Sequence, residues 1–118
     1  MDNLALIHYE QGHTNAAEQL QLQAIELSKR VLGEEHPDTL SFMNNLALTR
    51  RQRGDMEEAE HLQLQVVESW KRVLGEKHPH TLETTYELVA TYVKQGRREE
   101  AAALRLQVDP IVAALLGE

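Results

Sequence analysis

The chain has 118 residues, a formal net charge of −7, 42% hydrophobic but only 4% aromatic residues, and no cysteine. That length suits one domain with a core of Leu, Val, Ala and Ile, and the lack of cysteine excludes a disulfide scaffold, thiolate metal sites and a cysteine nucleophile and fits a reducing, cytoplasmic compartment. A net acidic chain is poorly suited to nucleic acid, which needs a basic stripe. No apolar run approaches the ~20 residues of a membrane span, and Met1-Asp2-Asn3 lacks the basic start of a signal peptide.

Six helices are expected, near 1–11, 15–32, 37–53, 56–74, 79–95 and 98–116. The first is short: Met1 aligns with Met43, so residues 35–42 have no counterpart before it, and the chain either begins abruptly or is cut from a longer array. Gly12 is expected to end it. Asn15 and Glu18 have the spacing of an N-cap and its reciprocal partner at the start of the second helix, as Asp55 and Glu58 do for the fourth. Ala17, Leu20, Ala24, Ser28 and Val31 recur at three and four along the second helix, and Ala59, Leu62, Val66, Trp70 and Val73 along the fourth, each set lining one stripe. Gly33 and Gly75 end those helices. Pro37 and Pro79 suit the first position of the third and fifth, where no backbone N–H is required, and His36 and His78 are read as part of those helix starts. Leu40, Met43, Leu46 and Ala47 form the apolar face of the third helix, Leu82, Leu88 and Val89 that of the fifth. Gly54 and Gly96 end them. Within the sixth, Asp109-Pro110 is expected to impose a kink or break.

These elements repeat. Residues 31–40 and 73–82 share eight of ten residues at an offset of 42, and Gly12, Gly54 and Gly96, then Ala17, Ala59 and Ala101, then Leu22, Leu64 and Leu106 keep the same offset. A fixed period of roughly 20–50 residues marks a repeat architecture, whose units bury their apolar faces against neighbours. Short links favour antiparallel neighbours. The fold expected is an all-α, right-handed solenoid of antiparallel helix pairs, one domain over 1–118 with units near 1–34, 35–76 and 77–118.

The pattern resembles the tetratricopeptide repeat. With Gly54 as turn glycine, Leu46, Ala47 and Ala59 fall on the family's Leu, small and Ala positions, as do Leu4, Ala5 and Ala17, then Leu88, Val89 and Ala101. The 42-residue period, the L-G-E-x-H-P-x-T-L linker and Asn44-Asn45-Leu46-Ala47 are similar to the long repeats of kinesin light chains and of arrays following nucleotide-binding domains in signalling proteins. The resemblance implies a non-enzymatic module whose first helices line a concave, peptide-binding groove. By position that groove would present Asn3, Leu6, Ser41, Asn44, Asn45, Leu48, Arg51, Gln52, Glu83, Tyr86, Glu87, Ala90 and Lys94, with Leu48 and Tyr86 as an apolar floor. Asparagine amides suit a peptide backbone because each offers donors and an acceptor; hydrogen bonds between solenoid helices would explain Asn44 and Asn45 equally well. Leu6 and Leu48 stand where other members of the family carry polar clamps for a terminal carboxylate, and Tyr86-Glu87 replaces the asparagine pair in the third unit.

The remaining candidates have plainer readings. His78 and His80, two apart, lack a third ligand, and no metal or other cofactor is expected. There is no Gly-rich phosphate loop, metalloprotease helix or nucleophile elbow, so no catalytic residues are assigned. Arg50, Arg51 and Arg53 are read as complementing a negative helix end, and Trp70 as packing between units. The function expected is capture of a protein or peptide partner in the groove; the alternative is a structural segment that self-associates into homo-oligomers through open repeat faces. Neither nucleic acid nor membrane is an expected partner.

Overall fold

The structure, a computed structural model, describes the backbone of residues 3–117 and the side chains of residues 15–117. Among these residues there are five helices and no strand: α1 Asn3–Val31, α2 Pro37–Gln52, α3 Met56–Val73, α4 Pro79–Lys94 and α5 Arg98–Leu115. Each helix packs on the next in chain order, the arrangement of an all-α solenoid.

One proline–glycine grammar builds α2 to α5. His36 and His78 occupy the N-caps of α2 and α4 in extended conformation, and in each the ring Nδ1 accepts the backbone N–H two residues on, at 3.1 Å. Pro37 and Pro79 follow at the first helical turn, where the missing N–H loses nothing. At the other end Gly54 and Gly96 take φ of +91° and +79°. Asp55 N–H then bonds Arg50 O and Arg97 N–H bonds Tyr92 O, both at 2.9 Å. This is the Schellman closure, which needs the left-handed conformation only glycine adopts freely.

The linkers between pairs are also duplicates. Gly33 and Gly75 have φ of +112° and +97°. The Thr39 hydroxyl donates to Gly33 O at 2.9 Å, and the Thr81 hydroxyl to Gly75 O at 2.8 Å. Both threonines are buried at 1% exposure or less, so each bond joins the start of one helix to the end of the previous one in a water-poor setting.

The core has two parts. Ile25, Leu40, Met43, Leu46, Val66 and Trp70 cluster between α1, α2 and α3, with Leu62 and Leu74 against them; Leu88, Val89, Tyr92 and Ala101 cluster between α4 and α5, with Leu104. Ala47 and Ala59 are fully buried where α2 meets α3. A side chain such as Leu40, buried in full, contributes about 1.5–3 kcal/mol relative to exposure.

Several local expectations are corrected. The helices expected at 1–11 and 15–32 run on as one, straight through Gly12. Glycine permits a reversal without dictating one, and inside a helix it costs only about 1 kcal/mol relative to alanine; the turn forms at Gly54 and Gly96, where helices dock on both sides. Asn15 and Glu18 therefore lie within α1 and cap nothing. Asp55 is at the N-cap of α3 but makes no cap hydrogen bond, because its φ of −83° and ψ of 69° lie outside the extended geometry a side-chain cap uses. Leu20 and Val31, expected on a buried stripe, are 66% and 69% exposed on the uncovered side of α1. The helix α5 does not break at Pro110.

The two glycine settings predict opposite mutational effects. Gly54→Ala should lower unfolding free energy by about 1–2 kcal/mol, the left-handed penalty of an L-residue, since a Cβ there meets no atom within 4 Å and the effect is purely conformational. Gly12→Ala should raise it by up to about 1 kcal/mol. Urea titrations of both variants measure the pair; a destabilising Gly12→Ala would mean that the chain turns at Gly12.

Candidate functional site

The face shared by α2 and α4 carries a pocket of about 180 Å³, lined by Ser41, Asn44 and Asn45 from α2, Trp70 from α3, and His80, Glu83 and Thr84 from α4. The linker clips bring α2 and α4 side by side, and Trp70 rises between them from α3. Trp70 is 2% exposed and its ring centroid lies 5.1 Å from that of His80. Its role in packing between units is as expected, and its ring also forms part of the pocket wall.

The two asparagines behave differently. Asn44 Nδ2 donates to Glu87 Oε2 at 3.1 Å, tying α2 to α4, while Asn44 Oδ1 is buried without a partner. Asn45 is exposed and its side chain makes no hydrogen bond among the described residues. Sequence reasoning left both amides open to either role; the geometry joins one to the next helix pair and leaves the other free.

Glu87 is the polar centre of this face. Burial pushes its carboxyl above the ordinary value; the Asn44 amide works against that shift, Glu83 one turn away adds to it, and Arg51 opposes it. The Glu87 main-chain carbonyl accepts from Arg51 Nη1 at 3.1 Å. The Thr91 hydroxyl stands 3.1 Å from that carbonyl and donates to Gln63 Oε1 at 2.7 Å. One chain of polar contacts therefore runs from α2 through α4 to α3.

The remaining predicted groove residues divide as follows. The side chains of Asn3 and Leu6 lie outside the described residues. Ser41, Asn44, Asn45 and Glu83 meet in the pocket; Leu48, Arg51, Gln52, Tyr86, Glu87, Ala90 and Lys94 are not among its lining. The Tyr86 hydroxyl donates to Asp109 Oδ1 at 2.6 Å, and that carboxylate holds the phenol above its ordinary pKa. Trp70, rather than Leu48 and Tyr86, forms the pocket's apolar wall. His80 and Thr84 were not foreseen. A signal existed: Trp70 and His80 replace the Ser28 and Asp38 of the preceding unit, and these two departures from the repeat touch each other.

The arginine cluster is fully engaged. Arg50 lies 3.3 Å from Glu18 and 3.2 Å from Glu58, Arg53 pairs with Glu18, and Arg51 holds the Glu87 carbonyl. Glu60, one period after Glu18, likewise receives the next unit's turn, through Gln95 at 3.2 Å and Arg97. The histidines at 36 and 78 serve as caps, and no group of three His, Asp or Glu gathers as a metal site among the described residues. No described helix is long and apolar enough to cross a membrane.

A carboxyl held above its ordinary value makes the fold more stable when protonated. That contribution is complete below the unfolded value near 4.5 and is lost as pH rises through the raised folded value. Glu87→Gln, which keeps an acceptor for Asn44 and removes the repulsion from Glu83, should therefore raise the melting temperature at pH 7. The gain should shrink towards zero below pH 4.5. Thermal melts across that range check the sign; a lower melting temperature at pH 7 would show that Arg51 outweighs burial.

Comparison with known proteins adds the following. Two tetratricopeptide repeat family profiles match, one over residues 40–107 and one over residues 1–38. Among solved structures, the repeats of a Podosopora anserina protein named for kinesin light chain and nearly identical TPR-like repeats are 32% identical with a TM-score of 0.76, covering 95% of this chain and 53% of that one. A single-substitution variant of it gives 31% and 0.78, covering 98% and 54%. This chain thus spans about half the length of those structures. BtubC from P. vanneervenii is 20% identical with a TM-score of 0.52, covering 98% of this chain and 63% of that one, a likeness of fold alone. Among curated proteins none matches the sequence significantly.

Proposed function

The chain belongs to the tetratricopeptide repeat family, and on that premise we propose that it is a cytoplasmic, non-enzymatic interaction module that holds an extended peptide or partner segment along the face shared by α2 and α4. Tetratricopeptide repeats are protein-interaction modules in general; the finer reading is that units 1–34, 35–76 and 77–118 act as one domain whose middle unit grips the ligand.

One observation carries this reading: Asn45 holds an exposed amide, unbonded among the described residues, at the rim of a pocket whose other asparagine is already tied down. An amide offers two donors and an acceptor, the complement of an extended backbone. Mid-helix asparagine is a mediocre helix former, and no hydrogen bond among the described residues accounts for this one. Asn44, by contrast, orients the neighbouring wall through Glu87.

A second reading, association of the chain with itself, draws on a different observation. Leu20 and Val31 on α1 and Leu106 on α5, at 77% exposure, present apolar side chains to solvent, and exposed apolar surface favours association. Light scattering over a concentration series separates the two: a mass that rises with concentration and falls back in a Leu20→Gln, Leu106→Gln double variant favours self-association, and a constant monomer mass removes it.

For the groove, Asn45→Ala should weaken a bound peptide by roughly 2- to 13-fold, the equivalent of one lost hydrogen bond of about 0.5–1.5 kcal/mol. Its melting temperature should barely change, because the amide bonds nothing among the described residues. Measuring affinity and melting temperature on the same variant tests the role; an unchanged affinity with a lowered melting temperature would make Asn45 structural.

A further inference from the structure

The pocket between α2 and α4 has a chemical bias. The donor of its Asn44 amide is taken while the acceptor is not. Asn44 Nδ2 is held by Glu87, whereas Asn44 Oδ1, on the same amide, is buried without a partner. Glu83 is exposed, lines the pocket, and has no ion-pair partner among the described residues. It stands one turn before Glu87, and like charges four apart on a helix repel. Charge from Glu83 is one reason the Glu87 carboxyl sits above its ordinary value, after burial itself. Arg51 offsets part of that charge without an ion pair to either carboxylate among the described residues, its guanidinium being bonded to the Glu87 main-chain carbonyl. The opposite wall is aromatic, with the Trp70 and His80 rings 5.1 Å apart.

An acceptor without a donor, a carboxylate without a counter-ion and an aromatic wall have one common complement. A guanidinium or ammonium group supplies donors to the first, charge to the second and a cation–π contact to the third. The volume of about 180 Å³ corresponds to roughly six waters in bulk, the scale of one long side chain rather than of a folded partner.

We infer that this pocket seats an arginine or lysine side chain of the peptide that the groove takes. The inference rests on the groove reading and deepens it: the main chain of the ligand runs past Asn45 and one cationic residue turns inward towards Glu83 and Asn44. Charge complementarity selects this occupant. An acidic side chain would meet Glu83 and the buried Asn44 oxygen, both repulsive to it, and an aliphatic one would leave that oxygen buried and unpaired.

Panning the whole chain against a random dodecapeptide library provides the test, followed by fluorescence anisotropy with an enriched peptide and with its analogue carrying glutamine at the basic position. Lysine or arginine should be enriched at one fixed position. The analogue should bind roughly five- to tenfold more weakly, between the values for an exposed ion pair and a charge-assisted buried one. Glu83→Gln, at an exposed helix position that leaves folding intact, should weaken the basic peptide by a similar factor and leave the analogue unchanged, the signature of a direct pair. Raising salt should erode the preference. Binders that depend on Asn45 but show no basic position, or a basic peptide indifferent to Glu83→Gln, would overturn the cation assignment and leave the groove standing. A library that yields no peptide sensitive to Asn45→Ala would overturn both.

Discussion

The architecture depends on a small clip that occurs twice. A left-handed glycine ends one helix, a buried threonine hydroxyl binds that glycine's carbonyl, and a histidine ring caps the next helix beside a proline. Each component restricts a different freedom. Glycine permits the sharp exit, proline sets the entry dihedral, and the threonine bond, shielded from water, fixes the distance between exit and entry. Because Gly33 to Thr39 and Gly75 to Thr81 form the same contacts at nearly the same distances, α2 and α4 enter their helix pairs in the same way, and the face they share follows from that repetition.

Within this frame polar residues mostly connect one helix pair to the next. Glu18 and Glu60, one period apart, each receive the end of the next first helix, although the residues that reach them differ: Arg50 and Arg53 in one case, Gln95 and Arg97 in the other. Such pairs are individually weak at the surface, and the apolar clusters supply the bulk of the stability. By engaging the arginines and the Asn44 donor, these polar contacts leave Asn45 and Glu83 without a side-chain partner among the described residues, which gives the pocket a chemical character different from the basic one that counting arginines would suggest.

The buried polar chain from Arg51 through the Glu87 carbonyl and Thr91 to Gln63 performs a related task. It couples the face shared by α2 and α4 to α3 behind it. Glu87 carries opposing demands: its side chain is partly desolvated and repelled by Glu83, yet its amide contact and its carbonyl contact hold α2 against α4.

The sequence by itself determined the repeat, the boundaries of α2 to α5 to within a residue, the glycine turns and the histidine–proline helix starts. These are local matters: a period, a φ that only glycine tolerates freely, a proline without an N–H. It also placed Leu46, Ala47, Ala59, Leu88 and Val89 in the core, because helical periodicity states which side of a helix faces inward, and the 42-residue offset carried Ala59 over to Ala101. Only the tertiary structure decided the rest. Whether Gly12 turns depends on what docks beside it. Whether an arginine serves a ligand or a neighbouring helix depends on a carboxylate some 30 residues away, as Arg50 and Glu18 demonstrate. Whether Asn44 or Asn45 is free depends on which of two adjacent positions, about 100° apart around the helix, faces Glu87. The pocket joins residues of three helices from 41 to 84, and no spacing in a linear chain encodes that meeting; it exists because the clip brings α2 and α4 together over Trp70.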